Sequence, residues 1–187
     1  RGLGDVYKRQ LDEIQCGMGR TGSMFAWQKS GVKPDVMTTA KALGNGVPIG
    51  AFLATGKAAT AMVPGDHGTT YGGNPFVTAA AAKVLEIFEK REIVKHVREV
   101  GEYLWEKLED LMAEHDVILA HRGAGLIQGL EFSIPAAPLV ERALLEEQLV
   151  IISAGANVIR MVPPLIVTKE QVDTMIKKMK TILKEQI

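Results

Sequence analysis

The chain has 187 residues, 47% hydrophobic and 24% charged, with 22 basic residues against 22 acidic ones and a formal net charge of zero. That is the balance of an ordinary globular protein of one domain or a domain and a half, and no basic stripe with interleaved aromatics marks nucleic acid as a partner. No apolar run approaches the roughly 18 residues of a membrane span, and one cysteine with four scattered histidines leaves neither an internal disulfide nor a metal-ligand spacing.

Residues 1–10, RGLGDVYKRQ, have no apolar core of the kind a signal peptide needs. Charged and polar residues dominate DVYKRQ, so no strand is expected there, and the segment reads as a non-native leader joined at Gln10–Leu11. A protein of this kind, with its lone Cys16, is expected in a reducing cytoplasm. Cys16 itself reads as a small packing residue.

From Leu11 the chain alternates strand, loop and helix. LDEIQCGMGRTG (11–22) puts Asp12 and Gln15 at a strand end, where glycines then bend the chain. Taken alone, Asp12 reads as a turn cap and Gln15 as a surface residue. DVMTTA (35–40) is a short β-rich run that ends at Lys41, and VPIGAFLA (47–54) is an apolar run expected to be a strand buried on both faces. Between them, Gly44 and Gly46 permit tight or left-handed backbone. A lysine in such a cleft, partly desolvated, can act as an amine nucleophile toward a carbonyl. The competing reading is an exposed surface lysine.

HGTTYGGNP (67–75) offers two threonine hydroxyls, paired glycines and a helix start, a candidate holder of an oxyanion or phosphate. A helix is predicted over 75–89 with Pro75 in its first turn. A second is predicted over 91–114, where Ile93, Val97, Val100, Leu104, Leu108 and Leu111 form a core stripe. The pattern then changes to a strand at 125–132, a helix at 137–148 and short strands in 149–155 and 157–165. A closing helix over 168–186 is capped by Thr168, with Gln171 placed for a capping box. The expected organisation is residues 11–92 as the later part of a large α/β domain and 93–187 as a linking helix with a small α+β domain. Arg160, inside the apolar NVIRMVPPL, must find a partner, either a structural salt bridge or the carboxylate of a ligand. An amine nucleophile, a carboxylate suited to a protonated ring nitrogen, a phosphate-holding threonine and a carboxylate-gripping arginine together match what pyridoxal 5'-phosphate chemistry requires.

DEIQCGMGRTG, DVMTTAKALGNGVPIGA, HGTTYGGNP and NVIRMVPPL, in this order and spacing, resemble the successive signatures of class III (subgroup II) aminotransferases, in the branch that acts on N2-acetylornithine. The resemblance implies a fold type I PLP-transferase, here part of the large-domain sheet with its helices plus the C-terminal α+β small domain. It implies a homodimer with active sites at the subunit interface. Lys41 would be the Schiff-base lysine, Asp12 the partner of the pyridine nitrogen, and Gln15 the neighbour of the ring's phenolic oxygen. Thr70 would bind the cofactor phosphate across the dimer interface, Thr69 would lie beside the substrate, and Arg160 would bind the substrate α-carboxylate. The implied reaction passes the δ-amino group of N2-acetylornithine to 2-oxoglutarate in arginine biosynthesis.

Family members run considerably longer. The phosphate-cup loop, the aromatic that stacks on the ring, a second substrate arginine and the glutamate expected to pair with Arg160 all belong to the part upstream of Leu11. The 187-residue chain alone is therefore expected to expose sheet edges, to be poorly soluble and to be at most weakly active. The alternatives are a sibling aminotransferase acting on ornithine, 4-aminobutyrate or succinyldiaminopimelate, and a truncated product with no activity.

Overall fold

The computed structural model describes residues 8–184, so residues 1–7 of the leader and the last two residues of the expected closing helix lie outside the described residues. The chain divides into two compact units that meet in sequence between Val94 and Lys95.

The first unit is built on a three-stranded sheet of β1 (Gln10–Asp12), β2 (Val36–Thr39) and β3 (Ala51–Ala54), in that order. β1 runs parallel to β2 with Asp12 opposite Thr38. Gln10 is part of that ladder although no strand was expected at its position, and Arg9 extends the contact by accepting amides from Asp35 at 2.9 Å and Val36 at 3.1 Å. Backbone pairing needs only amides and carbonyls, which charged residues supply as well as apolar ones.

β3 corrects a second expectation. Its strand covers only residues 51–54, it runs antiparallel to β2 with Thr39 opposite Ala51, and it forms the sheet's edge. Phe52 is 54% exposed and Leu53 44%, so neither face of β3 is buried among the described residues. The helices lie elsewhere: α1 (Trp27–Ser30) and α2 (Gly56–Ala59) are single turns, and α3 (Pro75–Lys90) packs on loops. Ala81, Val84 and Phe88 of α3 join Met18, Met24, Leu43 and Ile49 in one cluster, which fixes the loop after β1 and the loop after β2 against a single helix. Asn74 caps α3 by accepting the amides of Phe76 and Val77, each at 3.1 Å.

The second unit carries a four-stranded antiparallel sheet in the order β4 (Ile118–Ala124), β5 (Ile127–Phe132), β7 (Val158–Met161), β6 (Ile152–Ser153). Its helices are α4 (Ile93–Glu114), α5 (Ala136–Leu145) and α6 (Lys169–Leu183). The predicted stripe of α4 is buried from Ile93 to Leu111, and the Thr168–Gln171 capping box at the start of α6 is formed.

β4 was not predicted. Its pairing with β5 shifts register between Ile118 and Ala120, and Leu119 is 58% exposed, so the alternation that marks a strand is broken at its start. Gln128 on β5 is buried and donates to Gly101 O of α4 at 2.9 Å and to Gly125 O of the β4–β5 turn at 2.6 Å. Its Oε1 meets His121 Nε2 at 3.0 Å, and His121 stacks on Trp105 with ring centroids 3.9 Å apart. Among the described residues, no helix is long and apolar enough to cross a membrane.

Candidate active site

Two parallel neighbours, β1 and β2, end on the same side of the first unit, and the crevice outside the carboxyl ends of parallel strands is where α/β sheets bind ligands. Asp12 is the last residue of β1 and Lys41 follows β2 by two residues. The register that pairs Asp12 with Thr38 places both at that edge.

Lys41 starts a 3-10 turn, Lys41–Leu43, with φ of 46°. That left-handed backbone costs a non-glycine residue about 1–2 kcal/mol, a cost that the fold sustains where the side chain, rather than the backbone, is needed. The turn closes through Leu43 N donating to Ala40 O at 2.9 Å and Asn45 N donating to Lys41 O at 3.1 Å. The two glycines that follow serve different ends. Gly44 has ordinary φ, but a Cβ there would stand 2.1 Å from Val47 O, so the need is space. Gly46, with φ of 108° and open surroundings, supplies a backbone conformation instead.

The expectation that Lys41 is held inside is not met: its side chain is exposed, while Leu43, two residues on, is buried against α3. The 3-10 turn takes the chain past the strand edge, so the core receives Leu43 and the Lys41 side chain stays in solvent. Asp12 is exposed as well, and its Oδ1 accepts Ile14 N at 2.9 Å, so the turn-cap reading holds for one oxygen of its carboxylate. Gln15 follows in the same turn, half-buried.

Thr69 and Thr70 belong to an exposed loop that leads into α3. Thr69 Oγ1 accepts Gly72 N at 3.1 Å. The helix-start amides of Phe76 and Val77 are already taken by Asn74, so an anion here would draw on threonine hydroxyls and glycine amides rather than on those two donors. Arg160 lies in the second unit, on β7, opposite Gly129 of β5 and Ile152 of β6. Ile159 and Met161 on either side of it are buried, which puts Arg160 on the face away from the core. Arg122 and Glu131, which form an ion pair, share that face with Gly129.

Sequence reasoning passed over Glu13. Its carboxylate is 2% exposed and accepts backbone amides from Ala26 and Trp27, each at 2.9 Å. The one signal available was its position directly after Asp12, since adjacent residues at a strand end face opposite ways. Cys16 donates to Glu13 Oε2 and to Asp12 O, both at 3.3 Å. Burial, then the hydrogen bond and charge of Glu13, push its thiol up to about 11, so it remains protonated at neutral pH and is no nucleophile. Thr39 Oγ1, two residues before Lys41, is buried with no partner among the described residues. Among those residues there is also no group of three or more His, Cys, Asp or Glu able to hold a metal.

The sequence pattern of the aminotransferase class-III family matches residues 11–183. Acetylornithine aminotransferase 1 of Bradyrhizobium diazoefficiens is 48% identical over 164 residues, covering 87% of this chain and 40% of that protein. The acetylornithine aminotransferase of Methanocaldococcus jannaschii is 45% identical over 177 residues, 94% of this chain and 44% of that one. The crystal structure of acetylornithine aminotransferase from Elizabethkingia anophelis superposes with a TM-score of 0.86 at 31% identity, covering 92% of this chain and 44% of its own. Plasmodium falciparum ornithine delta-aminotransferase gives 0.88 at 32%, covering 94% and 47%. The chain thus spans about two fifths of the length of the curated relatives it matches.

Proposed function

The chain belongs to the class-III aminotransferase family, and on that premise we propose that the protein carrying it transfers the δ-amino group of N2-acetylornithine to 2-oxoglutarate, a step of arginine biosynthesis. The family depends on pyridoxal 5'-phosphate, and the residues here fit that cofactor. An accessible amine and an accessible carboxylate stand on the ends of adjacent parallel strands, as an aldehyde and a protonated ring nitrogen of one flat molecule require. This juxtaposition of Lys41 and Asp12 is the observation that carries the reading.

Bound there, the cofactor supplies an electron sink for the pair released when a substrate C–H bond breaks. Lys41 Nζ holds the cofactor and moves the proton at the reacting substrate carbon. Asp12, whose Oδ1 is occupied by Ile14 N, would pair through its other oxygen with the protonated ring nitrogen and keep that proton in place. Gln15 orients the ring from the side of its phenolic oxygen. Thr70 holds the phosphate across the interface of a homodimer, and Thr69 lines the substrate pocket. Arg160 grips the α-carboxylate of glutamate or 2-oxoglutarate through its planar fork. The setting we infer is the cytoplasm, with small-molecule substrates and neither nucleic acid nor membrane as partner.

Acetylornithine enzymes among the relatives support the choice of donor, whereas ornithine enzymes among the solved structures keep a sibling donor as the competing outcome. Steady-state kinetics of the full-length protein, with 2-oxoglutarate as acceptor, tests the proposal. We expect kcat/KM for N2-acetylornithine to exceed those for ornithine and 4-aminobutyrate by at least about tenfold, or 1.4 kcal/mol of transition-state discrimination. A preference for ornithine would move the assignment to the sibling, and no glutamate from any donor would end it.

A further inference from the structure

This inference rests on the roles given above to Asp12 and Lys41 and deepens them. Asp12 and Glu13 are consecutive acids with opposite surroundings, one exposed and one 2% exposed. A buried carboxylate is costly unless its oxygens are satisfied, and those of Glu13 are. Oε2 accepts Ala26 N at 2.9 Å, Oε1 accepts Trp27 N at 2.9 Å, and Cys16 Sγ donates to Oε2 at 3.3 Å. The backbone of Glu13 is held as firmly. Its N–H donates to Thr38 O at 2.9 Å, prolonging the β1–β2 ladder, and its carbonyl accepts Gly17 N at 3.0 Å. Residues 14–26 therefore form a loop closed by the Glu13 carboxylate at one end and two backbone amides at the other, with Asp12 just before the closure and Gln15 just inside it.

We propose that Glu13 is a positioning residue of the site: its buried carboxylate ties the 14–27 loop to the end of β1 and so holds Asp12 and Gln15 in the orientation the cofactor ring needs. Glu13 touches neither substrate nor cofactor. Glutamine in its place keeps one acceptor oxygen but sets an NH2 against the second amide, so the clamp loses one of its two ends.

The test uses the full-length, cofactor-loaded protein and its visible chromophore. Glu13→Gln is expected to shift the pH midpoint of that chromophore and to lower kcat by about 10- to 100-fold, the scale of a small misplacement of a catalytic group, with the KM for the amino donor changed less than about twofold. In an Asp12→Asn background the same substitution should cost less than it does alone, because part of its effect runs through Asp12 and only the part through Gln15 remains. Glu13→Asp keeps the charge one methylene short, and it stands in for Glu13→Gln if the latter does not fold. A folded variant that melts earlier yet titrates and turns over like wild type would overturn the proposal, as would strict additivity with Asp12→Asn. Amide exchange in the wild-type protein needs no variant: Ala26 and Trp27 should exchange slowly, and fast exchange at both would also overturn it. Wild-type protein with no bound chromophore would instead bring down the functional reading on which the proposal rests.

Discussion

The carboxylates of Asp12 and Glu13 show how one strand end serves two purposes. The exposed one accepts the Ile14 amide through one oxygen, and the buried one fastens the loop behind it. Cys16 reports on the fastening. Burial, with Glu13 as hydrogen-bond acceptor and negative neighbour, pushes its thiol up to about 11, and the thiolate is the reactive form. Iodoacetamide should therefore alkylate Cys16 at pH 8 well below the rate of an ordinary thiol, with the rate rising only toward pH 11. Glu13→Gln should speed the reaction at a given pH by removing the charge. Ordinary reactivity at pH 8 would mean that the cluster around Glu13 is not formed in solution. In the sequence, Lys41 stood out as a candidate because a glycine-rich turn after a β-rich run needs a reason to carry an amine, and its place at the same strand edge as Asp12 is what the structure adds. Glu13 did not stand out, since an acid beside a polar residue looks solvated until its backbone donors, 13 and 14 residues away, are seen. The exposure of Lys41 was equally hidden, because it depends on a 3-10 turn that composition does not specify.

At the scale of elements, the long helices and the strands β2, β5, β6 and β7 were readable, whereas β4 and the environment of β3 were not. The stripe of α4 and the capping box of α6 follow from a period of 3.6 and from two side chains three residues apart. β4 eluded the same reading because its irregular register breaks the period of two, and β3 because an apolar run does not say whether anything covers it. One contact joins helix to strand in a testable way. A Cβ on Gly101 in α4 would stand 2.6 Å from Gly125 Cα and 2.8 Å from Gly125 O, which are backbone atoms also fixed by Gln128. Helix propensity alone would make Gly101→Ala stabilising by about 1 kcal/mol. The clash should win, because overpacking against atoms that cannot move costs about 1–3 kcal/mol or more. Denaturant unfolding of the variant should therefore show a net loss of up to about 2 kcal/mol. A gain would mean that α4 sits farther from the β4–β5 turn than described.

At the scale of the whole molecule, the chain brings Lys41 and Asp12, the residues proposed to hold the cofactor aldehyde and its ring nitrogen, to one strand edge within its first unit, and carries Arg160, proposed to grip the substrate carboxylate, in its second. The first unit also leaves Phe52, Leu53, Met62, Val63, Tyr71 and Phe76 in solvent, and the relatives carry more than half of their length outside the matched region. Function is therefore to be measured on the full-length protein, where the central claim concerns one nitrogen atom. Borohydride reduction of that protein, purified with pyridoxal 5'-phosphate, followed by proteolysis and mass spectrometry, locates the lysine that holds the cofactor. A pyridoxyl group on the peptide containing Lys41, and its loss together with all transamination in Lys41→Ala, is the predicted result. Stable modification of a different lysine, or a Lys41→Ala protein that keeps its activity, would contradict the account.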